Sequence, residues 1–329
     1  MMNFSGKVGW VGLGNVGAKL AGNLLRNGVA LTVFDLDGDT CRVLQEAGAG
    51  VAGSVLELAM ASDVIVTCLP NPAACATVVE EMLPALGPGK IWVEMSTTDA
   101  GEVTRLAEQA IAQGALAMEC PFSGGGERAA RGNVSIFAGG PRTGFDAIYP
   151  MLQILGSRIL HTGEIGTASK LTVMTNYLAT ANLLTLCEAM VTMGAAGLDM
   201  ATTYEAIKIS SGTSFVHETE SQLILSGARD VNLTMDLVLK DIGLFQDLAD
   251  QNDVALELSP EVLRIMKDGQ ARYGDRAQSD RIIERLEELV GVHVLADGFP
   301  TELQDEDPPG AGREVHPSSG AILGGRRHI

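Results

Sequence analysis

The segment Gly12-Leu13-Gly14-Asn15-Val16-Gly17 follows a short apolar run at residues 8–11 and opens a stretch with helical periodicity. A G-x-G-x-x-G pattern between a strand and a helix is typical of a loop that binds the pyrophosphate of a dinucleotide. Its first glycine permits a tight turn, the second lets the backbone approach the pyrophosphate, and the third lets the helix pack on the strand. We therefore predict a dinucleotide-binding loop at 12–17. Because the chain has 39 glycines, a glycine-rich turn without a ligand is the alternative.

A second strand-like run at residues 30–34 ends at Asp35, which lies 23 positions after Gly12. A carboxylate at this place can accept hydrogen bonds from the adenosine ribose hydroxyls and repel a 2′-phosphate. Asp37 adds a second negative charge, and no arginine follows until Arg42. The sequence therefore predicts NAD as the cofactor in preference to NADP. A solvated aspartate at a strand end is the alternative.

Strand-like runs bounded by turn residues alternate with helical stretches over residues 1–163, two of which open with capping boxes at Ser54/Glu57 and Asp99/Glu102. The alternation predicts an α/β domain with a largely parallel sheet covered on both faces, although the direction of the later strands stays open. The predicted strands are Lys7–Val11, Ala30–Phe34, Asp63–Leu69, Lys90–Met95, Ala115–Cys120, Asn133–Ala138 and Arg158–His161.

The strand-like runs stop after Gly163, and residues 164–295 are predicted to form a second, all-helical domain. Its first helix is about 25 residues, or about 40 Å, long and links the two domains. Residues 296–329 are rich in proline, glycine and charge, which predicts a disordered tail. The predicted helices are Thr167–Met193, Thr202–Ile209, Phe215–Leu225, Leu233–Asp250, Pro260–Lys267 and Arg281–Val290.

The charge and cysteine content narrow the classes of partner. The 23 Lys+Arg against 41 Asp+Glu give a net charge of -18, which argues against nucleic acid and anionic lipid. The longest apolar region, residues 171–198, is broken by polar residues, so we expect no membrane span. Five cysteines without a C-x-x-C pair and histidines without ligand spacing predict neither disulfides nor a metal site. We expect no export signal and a cytoplasmic protein.

Five segments together resemble the β-hydroxyacid dehydrogenases, the family of 3-hydroxyisobutyrate dehydrogenase and tartronate semialdehyde reductase. The likeness covers about residues 7 to 295. The segments are GLGNVG at 12–17, CLPNP at 68–72, STT at 96–98, PFSGGGERAARGNVSIFAGG at 121–140 and KDIGL at 240–244. The resemblance implies a Rossmann-type N-terminal domain, a long interdomain helix and a helical C-terminal domain like that of 6-phosphogluconate dehydrogenase. It also implies a homodimer or homotetramer.

The resemblance further assigns expected roles to residues of this chain. It places Leu69, Pro70 and Thr97 beside the cofactor, and Ser123, Gly124 and Gly125 in a loop that holds the substrate carboxylate. A serine hydroxyl with backbone N–H groups is chemically suited to a small anion. Lys240, followed by its partner acid Asp241, matches a family lysine near the nicotinamide. His217 is expected to be structural.

The sequence departs from the family at one catalytic position. The family's lysine ends a G-x-x-G-x-G-x-x-x-K pattern, with an asparagine four residues later. Counting without gaps from Gly163, Thr172 takes the lysine position and Asn176 the asparagine position. Lys170 stands two residues early. Thr172 in that position implies a natural variant, a catalytically weakened protein or a deliberate substitution.

Helix geometry separates the two candidates for proton transfer. Thr172 and Asn176 are four residues apart and lie about 40° from each other on one face, whereas Lys170 lies about 120° from Asn176. Lys170 can replace the missing lysine only if the helix begins after it, or if two residues are deleted relative to the family pattern. We count Thr172, Asn176, Lys240 and Lys170 as catalytic candidates.

The leading hypothesis is an NAD-dependent oxidoreductase that interconverts a small 3-hydroxy acid and its semialdehyde or keto acid. An imine reductase is the first alternative, because the lysine position is commonly filled by another residue in those enzymes. A non-catalytic NAD-binding sensor of a carboxylate metabolite is the second.

Overall fold

The computed structural model describes residues 4–305, 307–308 and 310–317, and it contains one twisted sheet with helices on both faces. The strands run in the order β10-β9-β8-β6-β5-β4-β1-β2-β3, and β7 pairs with β8. They are β1 Val8–Val11, β2 Leu31–Phe34, β3 Gly50–Val51, β4 Val64–Thr67, β5 Ile91–Glu94, β6 Leu116–Glu119, β7 Phe122–Ser123, β8 Val134–Gly139, β9 Gly156–Gly163 and β10 Arg313–Val315. All pairings are parallel except β6 with β8 and β7 with β8.

In the described chain, seven helices alternate with the strands β1–β9 and six lie between β9 and β10. The first seven are α1 Gly17–Arg26, α2 Gly38–Glu46, α3 Val55–Ala61, α4 Pro72–Met82, α5 Ala100–Ala112, α6 Gly125–Arg131 and α7 Arg142–Leu155. The others are α8 Thr167–Ala195, α9 Met200–Lys208, α10 Phe215–Ser226, α11 Met235–Gln251, α12 Leu258–Tyr273 and α13 Glu284–Val290. Short 3₁₀ turns occupy Leu83–Ala85 and Ser279–Ile283.

The predicted fold class, a Rossmann-type domain followed by an all-helical one, is confirmed. The two faces of the sheet are covered by separate apolar clusters, one packed around Trp10 and the other around Trp92. Because both faces are buried, the central strands are almost continuously apolar. The two predicted capping boxes begin helices: Ser54 Oγ accepts from the backbone N–H of Glu57, and Asp99 accepts from that of Glu102.

Helix α8 is the central element of the second domain. It spans 29 residues and packs against each of the helices α9–α13 or the turns between them. By length and composition alone it is apolar enough to cross a membrane, with a mean hydropathy of 1.3 over its best window. In the fold its apolar residues, such as Leu183 and Met190, belong to the core of the helical domain. A long apolar helix in a protein core can have the same length and composition as a membrane-spanning helix.

The predicted disordered tail at 296–329 is wrong for the part that the structure describes. Residues Arg313–Val315 form β10, which extends the sheet as a parallel neighbour of β9. The physical reason is that the charged residues of this segment have partners on the sheet domain: Arg142 binds Glu314, and Arg128 binds Asp305 and Asp307. Residues 318–329 lie outside the described residues.

The core of the sheet domain can be tested by truncating one leucine. Leu20 on α1 is fully buried, whereas Leu36 is 95% exposed. We expect Leu20→Ala to cost about 2–5 kcal/mol of unfolding free energy, since it leaves a cavity. The matched control Leu36→Ala is expected to change it by less than about 0.5 kcal/mol. Both tryptophans lie in this domain, so urea unfolding followed by tryptophan fluorescence measures the effect. Equal midpoints for the two variants would contradict this packing.

Candidate functional site

The turns that carry the predicted cofactor residues lie side by side at one edge of the sheet. Val11, Thr67 and Glu94 are the last residues of β1, β4 and β5, and they are partners in register. The chain therefore leaves these three strands at the same level, entering the glycine loop, the Leu69-Pro70 turn and the Ser96-Thr97 turn. Ligands of open parallel sheets bind outside this carboxyl edge.

The geometry of the glycine loop fits a dinucleotide. A Cβ on Gly12, which has a φ of +97°, would lie 2.2 Å from the carbonyl oxygen of Cys68, and one on Gly17 would lie 2.3 Å from that of Gly12. Only glycine fits these two close approaches. Gly14 is exposed, and a Cβ there would meet nothing within 4 Å. The second glycine is thus the open one, where a pyrophosphate can approach the backbone at the start of α1.

The Asp35 carboxylate is tied to the glycine loop. One of its oxygens accepts from the backbone N–H of Leu13 at 2.5 Å and the other from that of Asp37 at 2.9 Å. These bonds fix the carboxylate at the end of β2, beside the loop. The predicted role of Asp35 in binding the ribose stays a prediction.

A buried acid organises the two neighbouring turns. Glu94 accepts from Thr67 Oγ1 at 2.6 Å and from the backbone N–H of Ser96 at 2.7 Å. Ser96 Oγ in turn accepts from the backbone N–H of Leu69 at 2.7 Å. Burial raises the pKa of Glu94, and these hydrogen bonds act in the opposite direction. Glu94 and Ser96 therefore hold the Leu69-Pro70 turn against the turn that contains Thr97.

A second buried acid, Glu119, determines where α8 begins. Its oxygens accept from the backbone N–H groups of Ala168 at 2.8 Å and Ser169 at 3.2 Å, and from Ser169 Oγ at 2.5 Å. A carboxylate at this place satisfies N–H groups that lack a partner within the helix. Burial is the main cause of the raised pKa of Glu119. The last residue of β6 thus anchors the first turn of α8.

The start of α8 excludes one of the two ways in which Lys170 could replace the missing lysine. The helix begins at Thr167, so the alternative in which it begins after Lys170 is wrong. Lys170 is exposed and lines a pocket of about 390 Å³ together with Asp99, Arg105 and Gln251. Thr172 is fully buried, and its hydroxyl has no hydrogen-bond partner among the described residues. The two side chains therefore lie in different surroundings.

A chain of polar contacts joins the helical domain to the cofactor edge. Asn176 Nδ2 donates to Asp241 Oδ2 at 2.7 Å, Lys240 Nζ lies 3.1 Å from Asp241 Oδ1, and Lys240 Nζ donates to the carbonyl oxygen of Thr97 at 2.9 Å. Burial raises the pKa of Asp241, while the charge of Lys240 lowers it. The structure therefore connects three of the predicted residues. Asp241 joins Asn176 to Lys240, and Lys240 contacts Thr97 directly.

The predicted substrate loop, residues 123–125, runs from the last residue of β7 to the first residue of α6. Ser123 ends β7 opposite Ser135 of β8, and Gly124 and Gly125 have φ values of +133° and +75°. These left-handed conformations favour glycine. A Cβ on Gly126 would lie 2.8 Å from Lys19 Nζ, so a cation of α1 lies close to this loop.

His217 and the cysteines have structural surroundings. The His217 ring bonds to the carbonyl oxygen of Tyr204 and to Ser221 Oγ inside the helical domain, and burial lowers its pKa. All five cysteines are free. Among the described residues, no group of three histidine, cysteine or acidic side chains could hold a metal ion.

Sequence reasoning missed three residues that organise this site: Glu94, Glu119 and Asn232. The two acids carry a usable signal, because each is a charged residue at the end of a buried apolar strand. Asn232, which has a φ of +65°, accepts from Asn15 Nδ2 of the glycine loop at 2.9 Å. No local signal points to a contact between residues 217 positions apart.

Comparisons with known proteins agree with this geometry. Residues 7–163 match the NAD binding domain of 6-phosphogluconate dehydrogenase, and residues 166–286 match the NAD-binding domain of NADP-dependent 3-hydroxyisobutyrate dehydrogenase. The 2-(hydroxymethyl)glutarate dehydrogenase of Eubacterium barkeri is 32% identical over 297 residues, which are 89% of this chain and 99% of that protein.

Two further similar proteins are 3-hydroxyisobutyrate dehydrogenases. The mitochondrial 3-hydroxyisobutyrate dehydrogenase of Mus musculus is 30% identical over 272 residues, which are 79% of this chain and 81% of that protein. The crystal structure of 3-hydroxyisobutyrate dehydrogenase from Salmonella typhimurium superposes with a TM-score of 0.77 at 27% identity, covering 85% of this chain and 99% of that one. The chain therefore belongs to the β-hydroxyacid dehydrogenase family of NAD(P)-dependent oxidoreductases.

Proposed function

We propose that the protein is an NAD-dependent oxidoreductase that interconverts a small 3-hydroxy acid and its semialdehyde or keto acid. The observation that carries the proposal is the chain Asn176–Asp241–Lys240–Thr97, which sets polar groups of the helical domain against the cofactor edge of the sheet. The names of the relatives, which are dehydrogenases of hydroxy acids, support the substrate class.

Each part of the site has a role in this reaction. A bound nicotinamide supplies or accepts the hydride. Ser123, with the backbone N–H groups of Gly124 and Gly125, holds the substrate carboxylate. Asn176 orients the reacting oxygen, because its amide is held in one orientation by Asp241. Lys240 is a supporting cation whose ammonium group is fixed by Asp241 and the carbonyl of Thr97.

The site lacks an obvious general acid for the proton transfer that accompanies hydride transfer. A positioned general acid typically contributes about 10²–10⁴-fold to such a reaction. With the gap-free alignment, Thr172 occupies the position of the family's lysine, and a threonine hydroxyl is not an acid at neutral pH. Its buried hydroxyl is free to hold a water or relay a proton. We therefore propose a slow enzyme.

Two alternative functions predict different experimental outcomes. An imine reductase is favoured by the absence of lysine at position 172, but such enzymes resemble NADP users, and Asp35 argues against a 2′-phosphate. A non-catalytic sensor would bind NAD tightly without turnover.

We also propose that the protein is cytoplasmic and forms a homodimer or homotetramer. The five free cysteines support the first part, and the family resemblance supports the second.

The first test of the function restores the lysine. Thr172→Lys is expected to raise kcat by about 10²-fold or more, because it supplies an ammonium group on the face of Asn176. NADH absorbance with a panel of 3-hydroxy acids measures the rate, and thermal unfolding shows that the variant is folded. The matched control Lys170→Ala changes only an exposed side chain and is expected to leave the rate unchanged. Silence of both the parent protein and folded Thr172→Lys would reject the substrate class.

The second test addresses the cofactor. We expect NAD to be preferred over NADP by at least about tenfold in kcat/KM, because the Asp35 carboxylate repels a 2′-phosphate. Asp35→Asn keeps an acceptor for the N–H of Leu13 and removes the charge, so the preference is expected to fall. Asp146→Asn makes the same charge change on an exposed side chain of α7 and serves as the control. A parent protein that prefers NADPH would favour the imine reductase.

A further inference from the structure

The chain that follows the helical domain returns to the sheet domain and forms a strap, which we define as the described residues between 296 and 317. It leaves the helical domain at Ala296, whose N–H donates to the carbonyl oxygen of Leu225, and at Phe299, which lies edge-on to Tyr204. It ends as β10 at the edge of the sheet. The strap thus joins the two domains a second time, in addition to the connection before α8.

The far end of the strap is anchored by specific contacts. Gln153 of α7 exchanges two hydrogen bonds with the backbone of Gly312, at 2.8 and 3.1 Å. A Cβ on Gly312 would lie 2.1 Å from the carbonyl oxygen of Gly156, so only glycine fits. Glu314 receives two hydrogen bonds from Arg142, at 2.6 and 3.0 Å. The segment is therefore built to pack on this edge.

The middle of the strap is held by a buried charge. The side chain of Asp305 is only 2% exposed. One carboxylate oxygen accepts from Asn133 Nδ2 at 2.5 Å, and the other lies 3.4 Å from Arg128 Nε. Arg131 donates to the backbone oxygen of Asp305. A buried carboxylate needs such partners, because it has lost its hydration.

Two of the three partners of Asp305 belong to the helix that follows the predicted substrate loop, and Asn133 lies just after that helix. Arg128 and Arg131 lie on α6, which begins at Gly125, and the Cβ position of Gly124 lies 3.1 Å from Arg128 Cδ. The Arg128 guanidinium also lies over the ring of Phe215 in the helical domain, 5.2 Å from its centre. Arg128 thus contacts the strap, the substrate loop and the second domain at once.

We infer that Asp305 is a positioning residue for the substrate loop: it fixes α6 through Arg128, Arg131 and Asn133 and thereby holds Ser123–Gly125 in the conformation that binds the carboxylate. The inference rests on the proposed function. The strap lies beyond residue 286, the last residue that the family model matches. In this inference Asp305 acts through α6 and the adjoining Asn133.

The kinetic test separates substrate binding from cofactor binding. Asp305→Ala removes the buried carboxylate shared by Arg128 and Asn133 and leaves each of them, within the strap, only its contact with Asp307. We expect KM for the hydroxy acid to rise about tenfold. KM for NAD and kcat are expected to stay within about twofold. Asp305→Asn retains an acceptor for Asn133 and is expected to restore part of the loss. The control Glu314→Gln weakens the strap at Arg142, away from α6, and is expected to leave all three constants unchanged.

Two kinetic results would overturn the inference. One is an unchanged KM for the acid in folded Asp305→Ala, and the other is an equal rise in KM for NAD, which indicates a merely structural role. A second measurement does not depend on turnover. Amide hydrogen exchange over residues 122–133 is expected to accelerate in Asp305→Ala, while exchange over residues 64–82, which include β4 and α4, stays the same. Unchanged exchange at 122–133 also overturns it. A parent protein that turns over no hydroxy acid rejects the proposed function, and the exchange result then decides the inference alone.

Discussion

The contact between the Glu119 carboxylate and the first turn of α8 is the constraint on which the site depends. Glu119 ends a buried strand of the sheet, and its two oxygens satisfy N–H groups of Ala168 and Ser169. A helix whose first turn is fixed to a strand end has its rotation fixed as well, because each further residue follows at 100°. The faces on which Lys170, Thr172 and Asn176 lie are therefore determined by an acid some 50 positions earlier in the chain.

This constraint bears on Lys170, which stands two positions before the place expected for the family's lysine. The first turn of α8 is committed to Glu119, so the helix cannot start later to bring Lys170 to the face of Asn176. The helical domain places a different lysine, Lys240, against the carbonyl of Thr97. That contact brings a cation to the cofactor edge, but its ammonium group is already bound by two acceptors.

How much of the site is predictable from sequence depends on whether its contacts are local. The glycine loop and the cap at Ser54 are formed by residues within a few positions, and their patterns predicted them. The contact of Asn15 with Asn232 and the anchoring of α8 join distant segments, and no periodicity records such pairs. The tail shows the opposite failure. Its charge and proline content indicate disorder when the segment is considered alone, yet Asp305 and Glu314 find arginines on α6 and α7.

Several of the contacts that hold the two domains together lie at the turns of the sheet domain. Lys240 binds the turn after β5, Asn232 binds the turn after β1, and Arg128 packs on Phe215 beside the substrate loop. Each of these contacts lies at the edge where a dinucleotide and a carboxylate would meet. A change in the relative position of the domains would therefore alter the three turns directly. Because Arg128 is also held by the strap, contacts from both domains meet beside the predicted substrate loop.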